Sequence, residues 1–353
     1  MLIFDAHLDM AWNALEFNRD LMLPVSEIRK FERQFTDIVP GENTVSWTEL
    51  RKGNVFLTIS TLIARLHRKD AVRTFYQSRE ADYGAARGQM AYYQAMVERG
   101  VLRPITDVAT LDAHVAEWES GNTDELPMGY ILSMEGSQPV QNPEQIHHWY
   151  DLGLRILGPA HYGENPYCFG TGSQGGLKAD GPALLKAMDA VGMLLDATHL
   201  ADQSFWEALD IFEGPVLASH HNCRALVDAD RQLTDDQIKA LIERGSVIGA
   251  AMDAWMIQPG WVIGVTQPSD ACTLSTLADH IDHICQIAGN ANHCGIGSDL
   301  DGGFGKEQSP HDLETIADLY KLGEILKSRG YSDADVEGIM YRNWVDFFRR
   351  AWA

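Results

Sequence analysis

A chain of 353 residues, 45% hydrophobic and 22% charged, can bury a large core as one big barrel or two ordinary domains. Its formal net charge of −22 argues against roles on nucleic acid or at an anionic membrane surface. Five cysteines without a CxxC pair, an N-terminus without a basic region and long apolar run, and no apolar stretch of membrane-span length point to the cytoplasm.

The first apolar run is LIFDAH at 2–7, short enough for a strand buried on both faces. It closes on His7, and Asp9 follows two residues later. In an extended chain that spacing puts both side chains on one side. The second run is VFLTIS at 55–60, so the interval 8–54 must hold extra helices or loops. The third, GYILSME at 129–135, closes on Glu135. Before it lies another long interval, 61–128, with a helical pattern at 84–99 and room for a short additional element in 102–128.

From there the alternation quickens. LRILGPAH at 154–161 closes on His161, GMLLDATH at 192–199 on His199, and PVLASH at 215–220 on His220. A helical pattern occupies 183–190. Thr234 and Gln237 fit a capping box, and Leu233 with Ile238 fits a hydrophobic staple, which predicts a helix from about 235 up to a stop at Gly245. The seventh run, SVIGAAMD at 246–253, follows directly and ends on Asp253. Helical patterns at 276–288 and 312–328 flank the eighth, CGIGSD at 294–299, which ends on Asp299.

Strands alternating with helices imply a parallel sheet, and eight strand candidates imply a (β/α)8 barrel. We expect it to be distorted, with extra helices and loops after the first two strands, and to form a single domain over 1–353. The runner-up is an open doubly wound sheet, whose usual GxGxxG fingerprint is missing.

In a barrel, the C-terminal ends of all strands converge on one face. His7, Asp9, Glu135, His161, His199, His220 and Asp299 would therefore meet in one pocket. Imidazoles and carboxylates together suit Zn²⁺ or a similar divalent ion. Other ionisable residues fit this pocket less well. His280 and His283 fall in a helical pattern as packing or surface residues, and His147 and His148 on a helix surface. His293 lies before the eighth strand, on the opposite end of the barrel. His221 follows a proposed ligand and should point to the other face. Asp253 could line the pocket. Asp301 competes with Asp299 within GSDLDG, and Asp299 is nearer the strand end.

Across its whole length the chain resembles the membrane (renal) dipeptidase family of metallopeptidases, within the amidohydrolase superfamily. The likeness rests on the HLD triplet at 7–9, SMEG at 133–136 and GGLKADGPALLKAMDAVGMLLDATH ending at His199. It extends to SHHNCRA from Ser219, RQLTDDQIKALIERGSVIG from Arg231, and GIGSDLDGG around Asp299. The resemblance implies two zinc ions per chain, with His7 and Asp9 on one, His199 and His220 on the other, and Glu135 bridging them as part of the catalytic set. It implies that His161 contacts the substrate near the scissile carbonyl. By the same token Arg231 grips the free carboxylate of a dipeptide and Asp299 acts as acid and base. It also implies dipeptides with free termini as substrates, tolerance of a D-residue at the C-terminal position, and a homodimer.

Ala160, His221 and Leu300 depart from residues common in the family and bear on substrate range. Mammalian members carry a signal peptide and a lipid anchor signal, neither of which is expected here. Two alternatives stay open at this point. One is another amidohydrolase-type enzyme, such as a lactonase or N-acyl-amino-acid deacylase. The other is a non-catalytic binding protein on the same scaffold.

Overall fold

All eight expected strands form, and they close a ring. The computed structural model describes residues 1–35, 41–64, 76–121, 123, 125–269 and 271–353. The strands are β1 (Ile3–Leu8), β2 (Val55–Ile63), β3 (Leu102–Pro104), β4 (Met128–Glu135), β5 (Ile156–Gly158), β6 (Leu194–Asp196), β7 (Val216–Leu217), β8 (Ile248–Ala250) and β9 (Cys294–Ile296). They run in the order β7-β6-β5-β4-β2-β1-β9-β8, with every neighbouring pair parallel. A further parallel bridge between Ala218 and Ile248 joins the two ends of that path. The fold is thus an α/β barrel of the (β/α)8 type. The short β3 pairs only with β4, outside the ring, and is the additional element expected in 102–128.

The strands bury both faces, as their near-continuous apolar runs require. Every residue of β1, β2 and β4 is buried. Close approach explains Gly297. A Cβ there would lie 1.7 Å from the Ser219 carbonyl oxygen, so only glycine lets the chain after β9 pass the chain after β7.

The helix Asp235–Glu243 starts as its capping box predicts. Thr234 Oγ1 accepts from the Gln237 amide at 3.2 Å, and Gln237 Oε1 accepts from the Thr234 amide at 2.8 Å. Among its described residues, the interval 8–54 holds three helices, Met10–Glu16, Val25–Glu32 and Trp47–Lys52. The pattern at 312–328 is helical over less than its expected span: a 3₁₀ turn, Ile316–Leu319, precedes an α-helix, Tyr320–Ser328. Thr315 caps that turn with its side chain, and Lys321 Nζ donates to the Asp312 carbonyl, which leaves 312–315 outside the helix. The C-terminal helix Asn343–Ala351 seals β1 and β9. Trp344 Nε1 donates to the Ile296 carbonyl at 3.1 Å, and Phe4 stacks on Phe348 with centroids 5.8 Å apart.

Candidate metal centre

The ladders stop earlier than the apolar runs do. β5, β6, β7, β8 and β9 end at Gly158, Asp196, Leu217, Ala250 and Ile296, and three residues beyond each stands His161, His199, His220, Asp253 or Asp299. These residues are therefore not the last of their strands, as the sequence suggested, but sit in the first turn after them. Leaving the ladder frees the backbone to aim each side chain into the mouth of the barrel. Two take unusual backbone to do so: His199 at φ 66° and Asp299 at φ 57° are left-handed. For non-glycine residues that conformation costs about 1–2 kcal/mol each and marks positions held by their surroundings.

Glu135, the last residue of β4, is the hub. Its Oε1 lies 3.2 Å from His199 Nε2, 3.3 Å from His220 Nε2 and 3.9 Å from His7 Nε2. Its Oε2 lies 3.6 Å from His161 Nε2. His7 Nε2 is also 3.8 Å from Asp9 Oδ1 and 3.7 Å from Asp299 Oδ1. Three donor groups emerge within this cluster: His7, Asp9 and Glu135; Glu135, His199 and His220; and His7, His220 and Asp299. The structure thus brings together all seven residues that the strand ends nominated.

The imidazoles are set up to offer a lone pair inward. His220 Nδ1 lies 2.8 Å from Ser219 Oγ, and that hydroxyl donates to Asp196 Oδ2, so it can only accept from His220. Nδ1 then carries the proton and Nε2 faces Glu135 bare. Asp196 is itself fixed by the amides of Thr198 and Ser219, each at 3.0 Å. Thr171 Oγ1 does the same for His199 Nδ1 at 2.9 Å.

Burial disfavours the charged form of these rings. It holds His7 down to about 3 and His220 to about 4, and His199 well below its ordinary range. Burial alone would raise Glu135, but the rings of His161 and His7 outweigh it and hold this carboxylate well below its usual range. Asp299 goes the other way: burial, then the charges of Glu135 and Asp9, push its carboxyl well above the usual range.

A divalent ion fits this chemistry. The donors are neutral imidazoles and carboxylates, suited to zinc. His7 Nε2 and Glu135 Oε1 are buried without a hydrogen bond of good geometry, which is costly unless something else satisfies them.

Arg231 is 2% exposed and donates from Nη2 to the His220 carbonyl at 2.9 Å. Its Nη1 has no hydrogen-bond partner. It makes no ion pair with Asp228 or Asp230; Asp230 instead accepts from the Gly172 amide. Asp253 accepts from Gln308 Nε2 at 2.8 Å and from Trp255 Nε1 at 2.7 Å.

Asp301 is turned away from the cluster. Its carboxylate accepts from the Thr44 amide and hydroxyl, the Val45 amide and Asn43 Nδ2, and pairs with Arg19 at 3.3 Å. Asp299 reaches the centre by passing over Gly302, where a Cβ would lie 1.8 Å from its Oδ1.

The remaining histidines stand elsewhere. His147 and His148 are exposed on the helix Gln145–Asp151. His280 is buried between the Cys223 amide and the Ile257 carbonyl. His283 pairs with Asp235, and His293 meets the Ser246 carbonyl at the other end of the barrel. His221 is not directed away as expected, because the ladder has already ended: its Nε2 accepts from the His199 amide at 3.4 Å.

Several residues of the site escaped the sequence. Tyr162 packs edge-on against His161 and His199, with centroids 4.9 and 5.0 Å apart. Asn13 Nδ2 donates to the carbonyls of both Asp9 and Asp301, tying the two acidic motifs together. For Asp196 and Ser219 a signal existed, since both stand inside or beside histidine-ending runs. For Tyr162, Thr171 and Asn13 there was none.

A profile of the membrane dipeptidase family (peptidase family M19) matches residues 1–352. The chain belongs to the membrane dipeptidase family. The class expected from the sequence, a metallo-dipeptidase hydrolysing peptide bonds, is the class of this family. An uncharacterised Klebsiella pneumoniae protein encoded 5′ of pqqA is 31% identical over 215 residues, 58% of this chain and 74% of that protein. Dipeptidase verJ of Clonostachys rogersoniana is 30% identical over 220 residues, 60% of this chain and 53% of its own. Mouse dipeptidase 3 is 27% identical over 239 residues, 65% and 45%. The chain thus spans about half the length of several curated relatives.

Among solved structures, the M19 metallopeptidase dipeptidase AC superposes with a TM-score of 0.80 at 19% identity, covering 100% of this chain and 99% of that one. A metallopeptidase from Rhodobacter sphaeroides, bound to a phosphinate mimic of L-Ala-D-Ala, gives 0.75 at 20% identity with the same coverage. These likenesses carry the fold. Among the described residues, no helix is long and apolar enough to cross a membrane.

Proposed function

We propose that this chain is a dipeptidase working with two zinc ions on dipeptides that have free termini. The observation that carries the dipeptide reading is Arg231: a buried guanidinium with an unpartnered Nη1, anchored to the backbone of the ligand His220. A planar guanidinium is built to hold a carboxylate through paired hydrogen bonds. A substrate carboxylate on Nη1, one residue from the imidazole cluster, fixes the length that fits.

His7 and Asp9 would hold one ion, His199 and His220 the other, with Glu135 between them. The ions supply Lewis acidity toward the carbonyl and lower the pKa of water. His161, 3.6 Å from Glu135 Oε2, would donate to the carbonyl oxygen as its negative charge grows. Asp299, beside His7 at 3.7 Å, would take a proton from the attacking water and pass it to the leaving amine.

The Rhodobacter sphaeroides protein's complex with an L-Ala-D-Ala mimic supports acceptance of a D-residue at the C-terminal position. Comparing kcat/KM for L-Ala-L-Ala and L-Ala-D-Ala tests this directly.

Arg231→Ala should raise KM for dipeptides, lowering kcat/KM by about 10²-fold or more. Zinc content, by elemental analysis, should stay at two per chain. Equal loss of zinc and activity would assign Arg231 to holding His220 in place instead.

A further inference from the structure

Asp253 stands three residues past the end of β8, the position that carries His161, His199, His220 and Asp299 on the four other short strands of the ring. It is the one member of that set with no place in the metal centre. Its position precedes the short helix Ala254–Ile257, yet its side chain makes no capping hydrogen bond to it. The carboxylate instead faces the indole N–H of Trp255 and the amide of Gln308. Both are neutral donors, one to each oxygen, and each oxygen retains further accepting capacity.

Asp253 is 8% exposed, and its hydrogen-bond partners are Trp255 and Gln308, with no ion pair among the described residues. Arg231 acts on it from the β7 side, while Asp299, Tyr162 and Cys272 share its field. Burial pushes its carboxyl up to about 7. A buried carboxylate hydrogen-bonded only to neutral donors is costly, and a paired counter-charge would relieve that cost. Trp255, partly buried beside it, offers an apolar wall for an alkyl stem.

We propose that Asp253 determines specificity by selecting a cationic side chain on the C-terminal residue of the substrate. The inference rests on the dipeptidase reading. If Arg231 holds the C-terminal carboxylate, the neighbouring carboxylate meets the side chain of that same residue. A lysine-like chain would lay its methylenes on Trp255 and its ammonium on Asp253. A glutamate-like chain would meet a like charge.

The test compares kcat/KM of the zinc-loaded enzyme for Ala-Lys and Ala-Glu, each in L,L and L,D forms, in wild type and Asp253→Asn. Wild type should prefer Lys over Glu by about tenfold or more in at least one of the two stereochemical series. In Asp253→Asn that ratio should fall to within about threefold of unity. The ratio is internal to each protein, so it does not depend on overall activity, and the wild-type ratio alone decides the matter if the variant fails to fold. A wild-type ratio at or below one overturns the proposal, as does a ratio that survives the substitution. Loss of turnover on every dipeptide would overturn the dipeptidase reading, and this proposal with it.

Discussion

Asp299 and Asp301 are separated by one leucine and share left-handed backbone, yet Asp301 is fully buried while the Asp299 side chain stays partly exposed. Asp301 is saturated by donors from Asn43, Thr44, Val45 and Arg19. Asp299 faces His7 and two other carboxylates, and its carboxyl is pushed well up by burial and by Glu135 and Asp9. Residue type does not distinguish a peg from a reacting group. Spare hydrogen-bonding capacity and like-charge neighbours do.

Three experiments bear on that contrast. The largest effect should come from the hub. Glu135→Gln removes the charge shared by four imidazoles, and kcat/KM should fall by about 10³-fold or more with loss of bound zinc. Retained zinc with near-normal turnover would remove Glu135 from the centre.

The paired aspartates come next. Asp299→Asn should cost about 10²–10⁴-fold in kcat while Tm holds or rises, because an amide replaces a carboxyl crowded by Glu135 and Asp9. Asp301→Ala should do the reverse. Arg19 keeps Glu32 at 2.6 Å, but the buried donors of Asn43, Thr44 and Val45 lose their acceptor, which should destabilise by about 1–3 kcal/mol or more, seen as a lower Tm, with a far smaller loss of turnover per folded molecule. If the two phenotypes exchanged, the assignment of peg and acid would exchange with them.

The smallest effect lies away from the centre. Burial holds His280 down to about 4 from an ordinary 6.5, in a slot that needs one bare ring nitrogen for the Cys223 amide. Protonation then favours the unfolded chain. Stability from this group is complete above pH 6.5 and lost as pH falls toward 4, by up to about 3 kcal/mol. Denaturation of His280→Gln across that range should show a flatter dependence on pH than wild type. An unchanged slope would place the titration elsewhere.

Much of this was legible in the sequence. Eight apolar runs became eight ring strands, and seven ionisable residues near their ends met in one cluster, because parallel strands in a barrel have no other place to send their C-terminal ends. Less legible was where each ladder stops. Apolar composition continues past the last ladder bond in LRILGPAH, GMLLDATH and PVLASH, so hydropathy cannot mark the turn that aims the side chain. Partners such as Thr171 for His199, or Asn13 for Asp9 and Asp301, come from distant loops whose approach no local pattern encodes. Asp301 looked like a rival of Asp299 for the same reason: its donors lie some 250 residues away in the chain.

The ring is not equally thick all round. β2 lends nine residues to its ladders, whereas β7 lends two and meets β8 through a single bridge. His220, Arg231 and Asp253 all leave from that thin side, while Glu135 stands on β4, across β5 and β6 from it. A cation shared by His220 and Glu135 would therefore act as a cross-brace over the barrel mouth. Filling the centre would slow the opening of the β7–β8 seam, and amide hydrogens there would report the loading state of a site whose ligands they do not touch.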